Sequence, residues 1–347
     1  MHSDAGSDAT AKSSTLRAPT LKEIALHAKV SEATVSRVIN NRPNVHPDTV
    51  SKVNGALKQM DVDLNALRRR NRSFAARSIA LLVPDITNPV FPMMMKGIEH
   101  VARTHGYNLI VCDSENDPSI ERERLESLVA DSVDGLIWIP TGEAADDTHD
   151  DVRQTLPTVF LDRRFAGKEA NCVVGANEDG AYQATRYLLS LGHRRILFVG
   201  GPVGTSTAEE RFQGFKRALG EQGIEVLDEL ILRCDFTMSG AYTAATRFLA
   251  SGTRVSGVFA SNDAMAFGVL KALREARISV PEEMSIIGYD DIPYAEFVGL
   301  STVAQPAFDL GRNAMILLTD VLGGRVTAPQ IVSLRPVLTI RDSCRKI

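Results

Sequence analysis

Cysteine is scarce in this chain of 347 residues: Cys112, Cys172, Cys234 and Cys344 stand far apart, with no Cys-x-x-Cys pair among them. That spacing argues against a disulfide framework and a structural zinc site, and it fits a reducing cytoplasm. Long apolar runs are missing too: none approaches the roughly 20 residues needed to cross a bilayer. The opening residues, rich in Ser, Ala and Asp, lack the apolar core of a signal peptide, so a disordered tail is expected over 1–18. Signatures of catalysis are also absent. The sequence holds neither Gly-x-x-x-x-Gly-Lys-[Ser/Thr] nor Gly-x-Gly-x-x-Gly, no Gly-x-Ser-x-Gly and no His-Glu-x-x-His. Neither a cofactor nor a bound metal is expected.

What is present is a composition of 44% hydrophobic and 24% charged residues, typical of a globular chain, with length for two or three domains. Its net charge of −4 is unevenly spread. Residues 17–77 carry 12 Lys and Arg against 5 Asp and Glu, a local +7, which leaves −11 on the rest. A small polyanion-binding head on an acidic body would produce this split, and so would an ordinary basic surface.

Residues 19–62 read as a three-helix head. Thr20 and Glu23 form a capping-box pattern, followed by an apolar stripe of Leu21, Ile24, Ala25 and Ala28. Only Lys29 and Val30 separate this helix from Ser31, which can cap a second one with Val35, Val38 and Ile39 facing inward. Pro47 suits the first turn of a third helix, whose Val50, Val53, Leu57 and Met60 complete the core. A turn this short sets the second helix across the first and holds its polar face outward, where it can enter a major groove. Arg37 can give guanine a bidentate donor pair, Glu32 can accept from cytosine, and Ala33 can touch a thymine methyl. Ser31, Thr34, Ser36 and Asn40 suit phosphates.

The segment TLKEIALHAKVSEATVSRVINNRPNV, with ATVSRVIN at its centre, resembles the helix-turn-helix of the lactose-repressor (LacI/GalR) family of bacterial transcription regulators. The resemblance implies that Glu32, Ala33 and Arg37 occupy the base-reading positions. Residues 61–72, DVDLNALRRRNR, fall where that family has a hinge helix resembling Gly-Tyr-x-Pro-Asn-x-x-Ala-Arg-x-Leu. Asn65 and Arg69 match. Leu64 replaces the proline, Arg68 the alanine, and Asn71 stands where a leucine wedge would pry open a base step. Either Leu67 takes that part in a shifted register, or Arg68, Arg69, Arg70 and Arg72 bind phosphates and groove width; the second is favoured, and a flexible linker over 63–76 stays open.

From Ile79 onward short apolar runs alternate with helical patterns: IALLV, LIVC, GLIWI, TVFL, ILFVG, ELILRC, GVFA and SIIGY. Such runs suit parallel strands buried on both faces, so residues 77–347 are expected to form a doubly wound α/β body in two lobes. One lobe would take about 77–174 and 306–334, the other about 175–305 and 335–347. Asp85, Asp113, Asp162, Asp235, Asn262 with Asp263, and Asp290 with Asp291 come at the ends of these runs, where ligands of such sheets bind. Arg211 could add a donor fork. Each carboxylate could equally cap a helix, the preferred reading for Asp263 and Asp291.

The body resembles the same family through DITNPVF, TVFLDRR, LGHRRILFVGG, AEERFQGF, SNDAMAFGVL and IIGYDDIPY. The resemblance implies a periplasmic-binding-protein-like fold, effector contacts at Asp162, Arg211, Asn262 and Asp290, and packing against ligand by Phe91 and Phe236. Gly192, His193 and Arg194 read as a turn. The expectation is a homodimeric repressor in the bacterial cytoplasm, on the nucleoid, with tetramers left open. It would bind a near-palindromic double-stranded operator under control of a sugar, sugar acid or nucleobase. A magnesium-dependent α/β enzyme, or a solute-binding protein with an appended basic domain, is the alternative.

Overall fold

A computed structural model describes residues 19–39, 45–60, 62, 77–131, 133–142, 147–165 and 169–347. The chain divides into two compact units, 1–75 and 76–347. In the first, α1 (Leu21–Ala28), α2 (Glu32–Ile39) and α3 (Pro47–Gln59) share a core of Ile24, Ala25, Ala28, Val35, Val38, Ile39, Val53, Ala56 and Leu57. The capping box at Thr20 and Glu23 is formed, and Lys29 ends α1 in the left-handed conformation that turns the chain within two residues. Val30, Val50 and Met60 seal the edge of this core.

The second unit is built on two parallel sheets. The larger comprises β1 (Arg77–Val83), β2 (Tyr107–Asp113), β3 (Gly135–Trp138), β4 (Thr158–Leu161), β5 (Cys172–Gly175) and β11 (Ile331–Leu334), in the order β11-β5-β4-β3-β1-β2. The smaller comprises β6 (Ile196–Gly200), β7 (Ile231–Arg233), β8 (Gly257–Ala260) and β9 (Ser285–Ile287), in the order β7-β6-β8-β9. A short antiparallel pair joins β10 (Thr302–Ala304) to β12 (Val337–Thr339) beside the smaller sheet.

Between strands run α4 (Val90–Thr104), α5 (Pro118–Ala130), α6 (Asp147–Thr155), α7 (Asn177–Ser190), α8 (Ser206–Gly220), α9 (Met238–Ala250), α10 (Asp263–Glu275), α11 (Pro293–Phe297) and α12 (Ala307–Leu322). All eight apolar runs of the sequence reading hold a strand; β5, β10, β11 and β12 lie outside them. Central strands β3, β5, β6 and β8 are buried on both faces, as crossover helices on each side require.

The chain passes between the sheets three times: after β5, between β10 and α12, and between β11 and β12. Each lobe is therefore assembled from separate stretches of sequence. The carboxyl ends of β4, β8 and β9 lead into the residues that line the space between the lobes. Among the described residues, no helix is long and apolar enough to cross a membrane.

Candidate functional site

On the head, the polar face of α2 is split between structure and exposure. Ser31 accepts from the Thr34 backbone N–H at 3.1 Å, and the two hydroxyls lie 2.7 Å apart, so these side chains close the first turn. Glu32, Ala33 and Arg37 are exposed and Ser36 is half-buried, while Val35, Val38 and Ile39 face the core. The one face of α2 free of the core thus carries the three residues expected to read bases. Asn40, Asn65, Arg68 and Arg69, with Leu67 and Asn71, lie outside the described residues, as does the tail 1–18.

In the body, the six residues that the resemblance implies for the effector converge, whereas strand-end Asp85, also expected at the effector, does not join them. Phe91, Asp162, Arg211, Phe236, Asn262 and Asp290 line one cavity with Asn88, Val90, Arg163, Thr207 and Gln305. The space left between them is about 10 Å³, of the order of a single water. Asp85 is placed elsewhere. It accepts from the Thr87 N–H and hydroxyl and lines an adjoining groove of about 690 Å³. Asp113 and Asp235 likewise close turns, accepting from Glu115 and Thr237.

Four charges meet at the cavity in two signs. Arg211, 3% exposed, comes from α8, and its Nη2 sits 3.3 Å from Asp290 Oδ1. Its Nε donates to Asn177 at 2.9 Å, its Nη1 to the Ser261 carbonyl, and its plane covers the Tyr289 ring at 3.8 Å. Asp290 also accepts from Gln305 Nε2 at 2.7 Å. Burial pushes its carboxyl up to about 6, against the opposing pull of Arg211 and Gln305. Burial likewise raises Asp162, which Arg211 and Arg163 pull down.

Arg163 lies between the Phe91 and Phe236 rings, at 5.9 and 5.2 Å from their centroids, and donates to the Pro140 and Thr141 carbonyls. That receiving loop is itself fixed by buried Glu121, which takes the Thr141 N–H at 2.8 Å. Asn262 caps α10 by accepting from the Met265 N–H and donates to the Phe236 carbonyl, so its amide is oriented before any ligand arrives. Asp263 and Asp291 are structural, but through tertiary contacts and not through the helix caps expected of them; the cap of α10 is Asn262. Asp263 takes the Thr302 hydroxyl and the Ile292 N–H, and Asp291 pairs with Arg341 at 2.7 Å.

Two features mark this cavity as a polar-ligand site. Asp162 Oδ1, Arg163 Nε and Gln305 Oε1 are buried with no hydrogen-bond partner among the described residues. Such groups cost about 1–3 kcal/mol each when left unmet, so a ligand supplying hydroxyls gains by pairing them. Asp162, Phe236 and Asp290 also take positive φ values, 61°, 65° and 105°, conformations non-glycine residues adopt where packing imposes them, often at ligand clamps.

Arg163 and Gln305 were not singled out from the sequence. Arg163 directly follows the strand-end Asp162 in the motif TVFLDRR, and that adjacency was the available signal. Gln305 lies in a crossing between lobes, where no local pattern marks it. Among the described residues no cluster of three or more His, Cys, Asp or Glu is arranged to hold a metal.

Comparison with known proteins assigns both units. Residues 20–62 match the model of bacterial regulatory proteins of the lacI family, and residues 76–329 match that of periplasmic binding proteins and the sugar binding domain of the LacI family. The chain is 34% identical to the ribose operon repressor of Escherichia coli over 336 residues, 93% of this chain and 99% of that protein. It is 32% identical to the HTH-type transcriptional repressor PurR of Vibrio cholerae, covering 94% of this chain and 98% of that one. Among solved structures, a LacI family regulator from Enterococcus faecium with bound ribose superposes with a TM-score of 0.70 at 32% identity, over 78% of this chain and 99% of its own. A DNA-binding transcription regulator with an effector domain is the class these units define. The chain belongs to the LacI family of bacterial regulatory proteins.

Proposed function

We propose that this protein is a cytoplasmic, operator-binding repressor whose DNA affinity is set by a neutral sugar of the ribose class. Its head spans 19–62, its hinge 63–76, and its effector body 77–347 in two lobes. Two copies pair so that each head reads half of a near-palindromic site on the nucleoid, since one short helix makes too few contacts alone. Glu32, Ala33 and Arg37 read base edges; Ser31, Thr34, Ser36, Asn40, Asn65, Arg68 and Arg69 position the protein on phosphates.

The observation that carries the effector reading is the charge balance of the cavity. Asp162 and Asp290 face Arg163 and Arg211, two charges of each sign, all buried. A neutral polyol leaves that balance intact and pairs the orphaned Asp162, Arg163 and Gln305 atoms. A sugar acid would strand an extra negative charge away from water. Asp290 is paired with the Arg211 guanidinium and Asp162 lies in the field of Arg211 and Arg163, which supports a binding cleft over a catalytic one. Relatives named for ribose point the same way.

A thermal-shift series with D-ribose, a hexose, a sugar acid and a purine tests this, since a ligand selective for the native state raises its melting point. Ribose or a near relative should raise it and change affinity for fragments from the protein's own promoter. A shift given by the sugar acid or the purine alone would overturn the neutral-sugar assignment.

A further inference from the structure

The amide of Asn177 lies where the chain first crosses between the lobes. It opens α7 directly after β5, is 1% exposed, and every polar atom of its side chain is engaged. Its Oδ1 accepts from Arg211 Nε at 2.9 Å, and its Nδ2 donates to the Gly175 carbonyl at 3.1 Å and to Glu210 Oε2 at 3.2 Å. Gly175 ends a strand of the larger sheet, whereas Glu210 and Arg211 are neighbours on α8 of the other lobe. The other oxygen of Glu210 takes Arg164 Nη2 at 3.2 Å, and the Arg164 backbone N–H donates to Ser206 Oγ at 3.1 Å. Arg164 follows β4, beside Phe165 in the core of the first lobe. A continuous path of contacts therefore runs from Arg164 at the partly exposed rim through Glu210, Asn177 and Arg211 to Asp290 in the cavity.

We propose that Asn177 is a positioning residue that ties the Arg211 guanidinium to closure of the lobes through Glu210 and Arg164. The proposal rests on the reading that Arg211 contacts the effector. The amide can take only one orientation: Arg211 needs an acceptor, while Gly175 and Glu210 need donors, and a flip sets donor against donor and acceptor against acceptor. Opening the lobes parts Arg164 from Glu210 and leaves that carboxylate free to move. The donor end of the amide then loses a partner, and with it the constraint that aims Arg211. Conversely, an effector that pins Arg211 holds Glu210 where Arg164 can reach it.

Asn177→Asp separates the two ends of the amide, since it keeps an acceptor for Arg211 but sets a second carboxylate against Glu210. Hydrogen exchange of the full chain without ligand, in peptides covering Arg164, should quicken in Asn177→Asp, and in Glu210→Gln, which leaves the amide in place. With D-ribose as the probe, Arg164→Ala should weaken binding about threefold in the native background, the scale of a partly exposed ion pair, and add nothing to Asn177→Asp. Unchanged exchange at Arg164 in Asn177→Asp, with Glu210→Gln as the positive control, or effects of Arg164→Ala and Asn177→Asp that multiply, would overturn the coupling. Failure of the underlying site reading looks different: Arg211→Ala would then leave the ribose response intact. If ribose binds no variant, the ligand-free exchange result decides alone.

Discussion

Arg37 and Asp290 each carry a prediction that a single substitution or titration can check. Arg37 is exposed on the free face of α2, and a guanidinium reading guanine contributes both affinity and choice of base. Arg37→Ala should weaken operator binding by roughly 1–3 kcal/mol and relax preference at one base pair. Fluorescence anisotropy on a set of single-base operator variants would show this; equal losses on every duplex would make Arg37 a phosphate contact.

Asp290 titrates at about 6, above its ordinary value of 3.8, because burial disfavours its charge. Between those values the folded protein binds more protons than the unfolded chain, so this group's share of ligand-free stability falls as pH rises through that window. Effector hydroxyls that donate to Asp290 favour its charged form. Affinity should therefore be steady above neutrality and decline by up to about tenfold per pH unit below 6, with a proton released on binding. Calorimetry in buffers of different ionisation enthalpy measures that proton, and Asp290→Asn should abolish it. The strand-end position made Asp162, Asn262 and Asp290 readable in the sequence. Arg163 and Gln305 were not readable in that way: Arg163 is held by carbonyls from the 140–141 loop, and Gln305 is set opposite Asp290 by the bridge between Asp290 and Ala304 beside it, a pairing no local pattern announces.

At the scale of elements, periodicity delivered the head helices and run length the eight strands: burial on both faces writes an unbroken apolar run in β3, β6, β8 and β9, whereas the edge strands β2 and β7 are only partly covered and were marked by run length alone. The strands left unread are three or four residues long. β10, β11 and β12 flank the crossings; β11 alternates exposed with half-buried positions and β12 is exposed or half-buried throughout, so the pattern of these two is that of edges, whereas β5 is buried throughout and is not an edge of this kind. Helix contacts were equally silent. α4 and α12 pack so closely that a Cβ on Gly97 would collide with the Phe308 carbonyl oxygen, and one on Gly311 with that of Met94. Neither glycine is needed for an unusual turn; each is there for the approach of two backbones. Gly311→Ala should cost roughly 1–3 kcal/mol, the usual scale of overpacking. Urea denaturation would register this as a lower midpoint at unchanged slope. An unaltered midpoint would mean that the pair can part without loss.

For the whole molecule, charge decides which part meets DNA. Residues 17–77 carry +7 and the remainder −11, so the phosphate backbone attracts one end of the chain and repels the rest. The dependence of operator affinity on salt then counts phosphates neutralised by the head and hinge alone. Arg69→Ala should lower the slope of log affinity against log salt by about 1 and weaken specific and random duplexes alike, in contrast to the base-selective loss at Arg37. Lys271 is a control from the body: it pairs with Glu275 on the exposed face of α10 and covers the Tyr242 ring, so its charge is already answered. Lys271→Ala should leave the salt slope where it was. If both substitutions lowered it equally, the acidic body would have to present a phosphate-binding surface of its own, and the division of labour between head and body would fail.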